Sequence, residues 1–279
     1  VIVNDRLVYL RLQKCASTTI SALLLDCVGG DRVQPSHRRL DFDPGSRVVF
    51  GSVRDPWSWY VSVWSFGCSG KGLSRRQTGS RPRRRAIGRT LVDELRGDRR
   101  SPSAALREFR ANRRRPNDLY ERLYSDVSDV GAFREWLALV HDPERAGDFN
   151  PNYFAGSLPH VAGLFTFDYL WLFSRDSEPI RTPSAFTDQS SLGAFDGEQN
   201  LCTAIVRTDR LGPELVEVLR TAGYDVAGGL ADRVLAASSQ RSNSSAHRST
   251  RDYYDPASID LVARRDAFLI AKHHFAPPN

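Results

Sequence analysis

The chain has 279 residues, 41% of them hydrophobic, and a formal charge of +6, so it is long enough to bury a sizeable core. No apolar run approaches the roughly 20 residues of a membrane-spanning helix; the longest candidate, Val161 to Phe173, is too short and carries Asp168. Four scattered cysteines (Cys15, Cys27, Cys68, Cys202) form no C-x-x-C pair, and no His/Asp/Glu group has metal-ligand spacing, which favours free thiols in a reducing compartment and no metal. The sequence begins almost at its first strand, without a basic-then-apolar leader, so a soluble, cytoplasmic protein is expected.

Leu7 to Leu12 is apolar and β-prone, as a buried parallel strand would be. Gln13-Lys14-Cys15-Ala16-Ser17-Thr18-Thr19 follows, small and hydroxylated around one of only three lysines among 39 basic residues. Ile20, Leu23, Leu24, Cys27 and Val28 then recur at helical spacing on one face, and Gly29-Gly30 closes the helix. A helix opening on hydroxyls behind a lysine is suited to an anion, because N–H groups, hydroxyls and the helix dipole converge there. The G-x-x-x-x-G-K-[ST] loop of nucleotide hydrolases is absent, since no glycine lies between Leu7 and Val28.

A polar link, Asp31 to Ser46, holds His37. Arg47 to Val53 reads as the second strand, and Arg54-Asp55-Pro56 as a helix start with Asp55 as N-cap and Pro56 at the first helical position. Trp57, Val61 and Trp64 make one stripe of that helix, and Ser58 and Ser62 lie on another face. Arg54 thus falls at the carboxyl end of a strand, where open α/β sheets bind ligands, and its planar fork suits a phosphate.

From Cys68 to Asp118 there are 16 Lys/Arg against 5 Asp/Glu, so the positive charge of the chain is local. This stretch, at about 69–116, reads as a basic, flexible insertion with short helices at Leu91 to Leu95 and Ala104 to Phe109. Three readings of it stand: a solvated loop, a docking patch for an acidic partner, or a lid over an anionic substrate.

Asp129 to Val140 is a helix with Val130, Phe133, Trp136, Leu137 and Val140 inward. Asp148 to Phe154 is a polar turn with aromatics, placed to lie near a substrate, and Gly163 to Phe173 is aromatic core. Ala204 to Arg207 is a further strand, followed by a helix from Asp209 that buries Leu211, Leu215, Val218 and Leu219 and stops at Gly223. A polar segment from Val226 to Tyr253 precedes the last helix, Ala257 to Arg265, and a final piece from Phe268 to Phe275.

Two of these stretches resemble the signatures of sulfotransferases, in the carbohydrate-sulfotransferase-like branch. Gln13 to Thr19 is similar to the family's Pro-Lys-x-x-x-[ST]-[ST] turn, which grips the 5′-phosphosulfate of 3′-phosphoadenosine 5′-phosphosulfate (PAPS), although Gln13 stands where the family usually has proline. Val53 to Ser62 is similar to the second signature, an Arg-Asp-Pro turn followed six residues later by a serine. The resemblance implies that Lys14, Cys15, Ala16, Ser17, Thr18 and Thr19 hold the phosphosulfate and that Arg54 and Ser62 hold the 3′-phosphate. Asn243-Ser244-Ser245 with Tyr253-Tyr254-Asp255 is similar to the family's closing pattern, where a loop folds over the nucleotide; Arg248 and Arg251 are then phosphate contacts. His37-Arg38-Arg39-Leu40-Asp41-Phe42 looks like the segment that carries the catalytic histidine, which makes Lys14 and His37 the catalytic pair, with Asp41 and Asp43 as substitutes for the histidine. Cys15 belongs to the binding loop and is no nucleophile.

The expected architecture is an α/β, three-layer P-loop-like domain with a central parallel sheet flanked by helices, a single sulfotransferase-like domain over 1–279. The expected activity is sulfuryl transfer from PAPS, a co-substrate used without a metal, to a hydroxyl of a carbohydrate or glycolipid. Two other readings remain open: an ATP-dependent kinase of related fold, which needs a glycine-rich loop and a metal-binding carboxylate, and a nucleic-acid-binding protein using the arginine-rich segment.

Overall fold

The computed structural model describes residues 1–35, 37–79, 117–227, 229–239 and 248–278. The helices expected at Leu91 to Leu95 and Ala104 to Phe109, and the Asn243-Ser244-Ser245 motif, lie outside the described residues.

Five strands form one sheet: β1 (Ile2–Val3), β2 (Leu7–Tyr9), β3 (Asp31–Arg32), β4 (Val48–Val53) and β5 (Ala204–Arg207), in the order β3-β1-β2-β4-β5. β2, β4 and β5 run parallel, with Tyr9 opposite Phe50 and Val53 opposite Arg207, whereas β1 is antiparallel to both β2 and β3. The expected parallel sheet is therefore a mixed one. Its cause is local: the Asn4 side chain accepts from the backbone N–H groups of Arg6 and Leu7, at 3.0 Å each, and turns the chain straight back on itself. So tight a link permits only antiparallel neighbours. The first strand also ends at Tyr9 rather than Leu12, because the chain leaves the sheet to build the lysine loop.

The longer helices are α1 (Ser17–Cys27), α2 (Pro56–Cys68), α3 (Leu73–Gly79), α4 (Asn117–Leu123), α5 (Val130–His141), α6 (Leu164–Phe173), α7 (Gln189–Gln199), α8 (Leu211–Thr221), α9 (Leu230–Ser239), α10 (Pro256–Arg265) and α11 (Ala267–His273). Side chains alternate across the strands and divide the interior in two. Leu7, Tyr9, Phe50 and Val206 join one core with Ile20, Leu23 and Leu24 of α1, Leu215 and Leu219 of α8 and Val234 of α9. Val8, Val49 and Val53 join the other with residues of α2, α5 and α6. On that second face Gly51 is required, because a Cβ there would stand 2.4 Å from the Phe173 ring.

α2 is the hub of the larger core. Pro56 through Ser65 are all buried, so the Ser58 and Ser62 side is as covered as the tryptophan stripe. Its aromatic residues are anchored by their polar ends to different elements: the indoles of Trp57, Trp59 and Trp64 donate to the carbonyls of Ile259, Gln13 and Leu123, and the Tyr60 hydroxyl donates to Asp266 at 2.8 Å. Each donor that burial removes from water is thus satisfied. The segment Val226 to Tyr253 is not all polar loop, since α9 occupies Leu230–Ser239 and buries Val234 against α1 and α8.

Candidate active site

The lysine loop leaves the end of β2 and enters α1 through two non-glycine residues in the left-handed region, Lys14 at φ 59° and Ala16 at φ 54°. Such residues are uncommon and cost about 1 kcal/mol or more each, so surrounding contacts must hold them. Three contacts do so. The Trp59 indole donates to the Gln13 carbonyl at 2.9 Å, the Gln13 side-chain amide donates to Asp168 of α6 at 2.6 Å, and the Ser52 hydroxyl donates to the Cys15 carbonyl at 2.6 Å. Ser52 is itself hydrogen-bonded to the Tyr9 hydroxyl at 2.9 Å. The loop is therefore clamped to β2, β4, α2 and α6 together.

Within it, Cys15 points into the core, and burial pushes its thiol well above the ordinary range. A thiol so held is not a nucleophile. Ala16 precedes α1 without a side-chain cap, and the first turn of the helix carries no acidic residue. Ser17 is buried, Thr18 exposed and Thr19 between the two. The Lys14 ammonium lies 4.2 Å from the centre of the Phe66 ring, and its pKa is lowered by partial burial and then by the charge of Arg54.

Arg54 comes to the same edge from β4, the parallel neighbour of β2. Its Nε donates to the Ser58 hydroxyl at 2.6 Å, and Ser58 is bonded in turn to Asp55, the N-cap that also accepts from the Ser58 N–H. Among the described residues no carboxylate lies within 4.0 Å of the Lys14 or Arg54 charge; the ion pairs occur elsewhere.

His37 is a third non-glycine residue at positive φ, 63°. Its Nδ1 lies 2.8 Å from the Arg11 carbonyl. A carbonyl oxygen can only accept, so Nδ1 carries the proton and Nε2 the lone pair. His37 is exposed as a residue, but local desolvation of the ring lowers its pKa from the ordinary value, outweighing the bond to Arg11, and the Arg11 and Lys14 charges act in the same direction. At neutral pH the ring is then a neutral acceptor.

Ser62 is buried one turn beyond Ser58. Arg251 donates to the Tyr254 carbonyl at 2.9 Å, the Arg248 backbone N–H reaches the Tyr253 hydroxyl, and the Tyr254 hydroxyl donates to the Trp57 carbonyl at 2.9 Å. Both arginines thus belong to a turn that packs against the start of α2.

Ser52, Ser58 and Asp168 are site residues that sequence reasoning passed over. Signals for two of them were present: Ser52 is the polar residue of an otherwise apolar strand, and Asp168 is the charged residue within Gly163 to Phe173. Desolvation raises the Asp168 pKa to about 7, opposed by the Gln13 bond.

Among the described residues no three His, Cys, Asp or Glu side chains gather closely enough to hold a metal ion, and no helix is long and apolar enough to cross a membrane. No family model, curated protein or solved structure matches the chain.

Proposed function

We propose that the chain is a sulfotransferase on a three-layer P-loop-like frame, moving a sulfuryl group from PAPS to an acceptor hydroxyl of a carbohydrate or glycolipid. One observation carries this reading: Lys14 and Arg54 follow adjacent parallel strands to one end of the sheet, close enough for the Arg54 charge to lower the Lys14 pKa, and neither has a carboxylate partner among the described residues. Two cations crowded together without a counter-charge oppose folding, and an anionic ligand relieves them. The uncapped start of α1 adds a positive end of a helix dipole to the same loop.

Sulfuryl transfer, like phosphoryl transfer, depends on position and on charge stabilisation. In this reading Lys14 meets the negative charge that grows on the oxygen between sulfur and the departing 5′-phosphate, and Arg54 binds the 3′-phosphate. The Nε2 of His37 takes the acceptor's hydroxyl proton as its oxygen bonds to sulfur and the old sulfur–oxygen bond breaks. The clamp through Trp59, Asp168 and Ser52 keeps the lysine where that charge appears.

A thermal-shift titration tests the donor site, because a ligand that binds only the folded protein raises its melting temperature. 3′-Phosphoadenosine 5′-phosphate should stabilise the wild type more than ATP or AMP does, and Arg54→Ala should lose most of that difference. A larger shift with ATP and magnesium would transfer the case to a kinase.

A further inference from the structure

We infer that α6 is a common strut of the candidate active site, and that Arg39, which hangs the His37 link on its carboxyl end, is a positioning residue for the proposed base. This inference rests on the reading of His37 as that base and adds what holds it in place.

His37 needs such support. The residue is exposed, its backbone is left-handed, and its ring is held by the contact with the Arg11 carbonyl. A left-handed backbone persists where its surroundings enforce it. Two residues on, Arg39 supplies the tie. Its Nη2 donates to the carbonyls of Ser174 at 3.0 Å and Arg175 at 2.9 Å, and its Nη1 donates to the Ser177 hydroxyl. The same guanidinium lies 5.5 Å from the centre of the Trp171 ring. The two carbonyls follow directly on the last turn of α6, which has no basic residue of its own. A helix carboxyl end carries partial negative charge, so the link brings the cation that the helix sequence lacks.

The end of α6 is itself fixed. Ser174 bridges to Asn200, the Arg175 N–H donates to the Gln199 carbonyl at 2.7 Å, and the Leu201 N–H donates to the Phe173 carbonyl at 2.7 Å, which locks it to the end of α7. Further back, α6 carries Asp168, the acceptor of the Gln13 side chain at the foot of the lysine loop. From Asp168 to Ser174 the helix advances about 9 Å. Lys14 and His37 come from different segments, yet both segments are tied to this one rigid element. Transfer needs the lysine and the base in a fixed mutual geometry, and a displacement of about 1 Å can cost about 100-fold.

The test is nitrogen-15 NMR of the histidine rings in the full chain at neutral pH, with the His37 signals assigned by their loss in His37→Ala. In the wild type the proton should sit on Nδ1. In Arg39→Ala the link loses its tie, and the Nδ1–H form should fall to the mixture of tautomers of a solvated imidazole. Arg39→Lys keeps a cation at the helix end but removes the fork, so it spares the fold and should show the same redistribution in smaller degree. Arg181→Ala is the control. Arg181 also stands over Trp171, at 5.8 Å, but pairs with Glu178, and its loss should leave the His37 signals unchanged. A ring unaltered in both Arg39 variants overturns the inference, and so does a ring freed equally by Arg181→Ala. The melting-temperature shift from 3′-phosphoadenosine 5′-phosphate should persist in Arg39→Ala. Its loss there, as in Arg54→Ala, would place Arg39 in the donor site and also overturn the inference. If the bisphosphate fails to shift the wild type while Arg39→Ala still frees the ring, the donor reading fails and the tie of His37 to α6 stands.

Discussion

His37 is the residue on which the proposed chemistry turns. Its proton is fixed on Nδ1 by the Arg11 carbonyl, and its pKa is lowered because partial desolvation and neighbouring cations disfavour the charged ring of this otherwise exposed residue. A base must be unprotonated to act, so the rate should be flat through neutral pH and fall on an acid limb below pH 6.5. His37→Ala should lower turnover by more than about 100-fold, remove that limb, and leave the melting-temperature shift from 3′-phosphoadenosine 5′-phosphate in place. Unchanged turnover in the variant would exclude His37 as the base. Cys15 makes the opposite case. It was legible as part of the loop, yet its thiol is fully buried and raised in pKa, so it should resist alkylation in the native protein and react only after unfolding.

At the scale of elements, the loop depends on the strand beside it. Ser52 of β4 ties the Cys15 carbonyl to the Tyr9 hydroxyl, and both partners are buried. Ser52→Ala strands two polar groups and should cost about 1–3 kcal/mol in urea unfolding. It should also weaken binding of the bisphosphate, because the two left-handed residues lose a restraint; an unchanged affinity would show that the remaining clamps suffice. Much of this element-level design was open to sequence reasoning. The strand-to-helix order around Lys14 and Arg54, the Asp55 cap, the third parallel strand and the inward face of α5 follow from period and capping. What escaped it depends on distance rather than pattern. β1 and β3 are two residues long each; the Asn4 turn folds β1 back on β2, and β3 joins only because Val3 meets Asp31 from far along the chain. The Gln13–Asp168 bond joins residues 155 apart in the sequence. α2 shows a stripe of tryptophans in its sequence, but its polar side is buried because other elements close over it.

The whole molecule adds a pH dependence that no single element sets. Asp168 is raised to about 7 by desolvation, so between its ordinary value of 3.8 and about 7 the folded state holds a proton that the unfolded state has lost. Stability from this group is therefore full at low pH and declines as pH rises through that window. His141 acts in the opposite sense. It is buried beside Tyr60 with neither ring nitrogen hydrogen-bonded, and desolvation holds its pKa well below 6.5. The unfolded chain then takes up a proton first, and stability declines as pH falls below 6.5. Together the two groups bound stability from both sides, and one substitution should release each side. Asp168→Asn keeps the shape of the side chain but removes its ionisation, so its stability relative to wild type should improve by about 2 kcal/mol between pH 5 and pH 8. His141→Phe should improve relative to wild type in the other direction, from pH 8 down to pH 5. Urea unfolding of both variants at the two pH values reads the slopes directly. Parallel profiles for wild type and Asp168→Asn would mean that the carboxyl beside Gln13 ionises freely, and the lysine loop would then face a full negative charge across that hydrogen bond. In that case affinity for 3′-phosphoadenosine 5′-phosphate should be higher in the asparagine variant than in wild type at every pH, rather than only above pH 7.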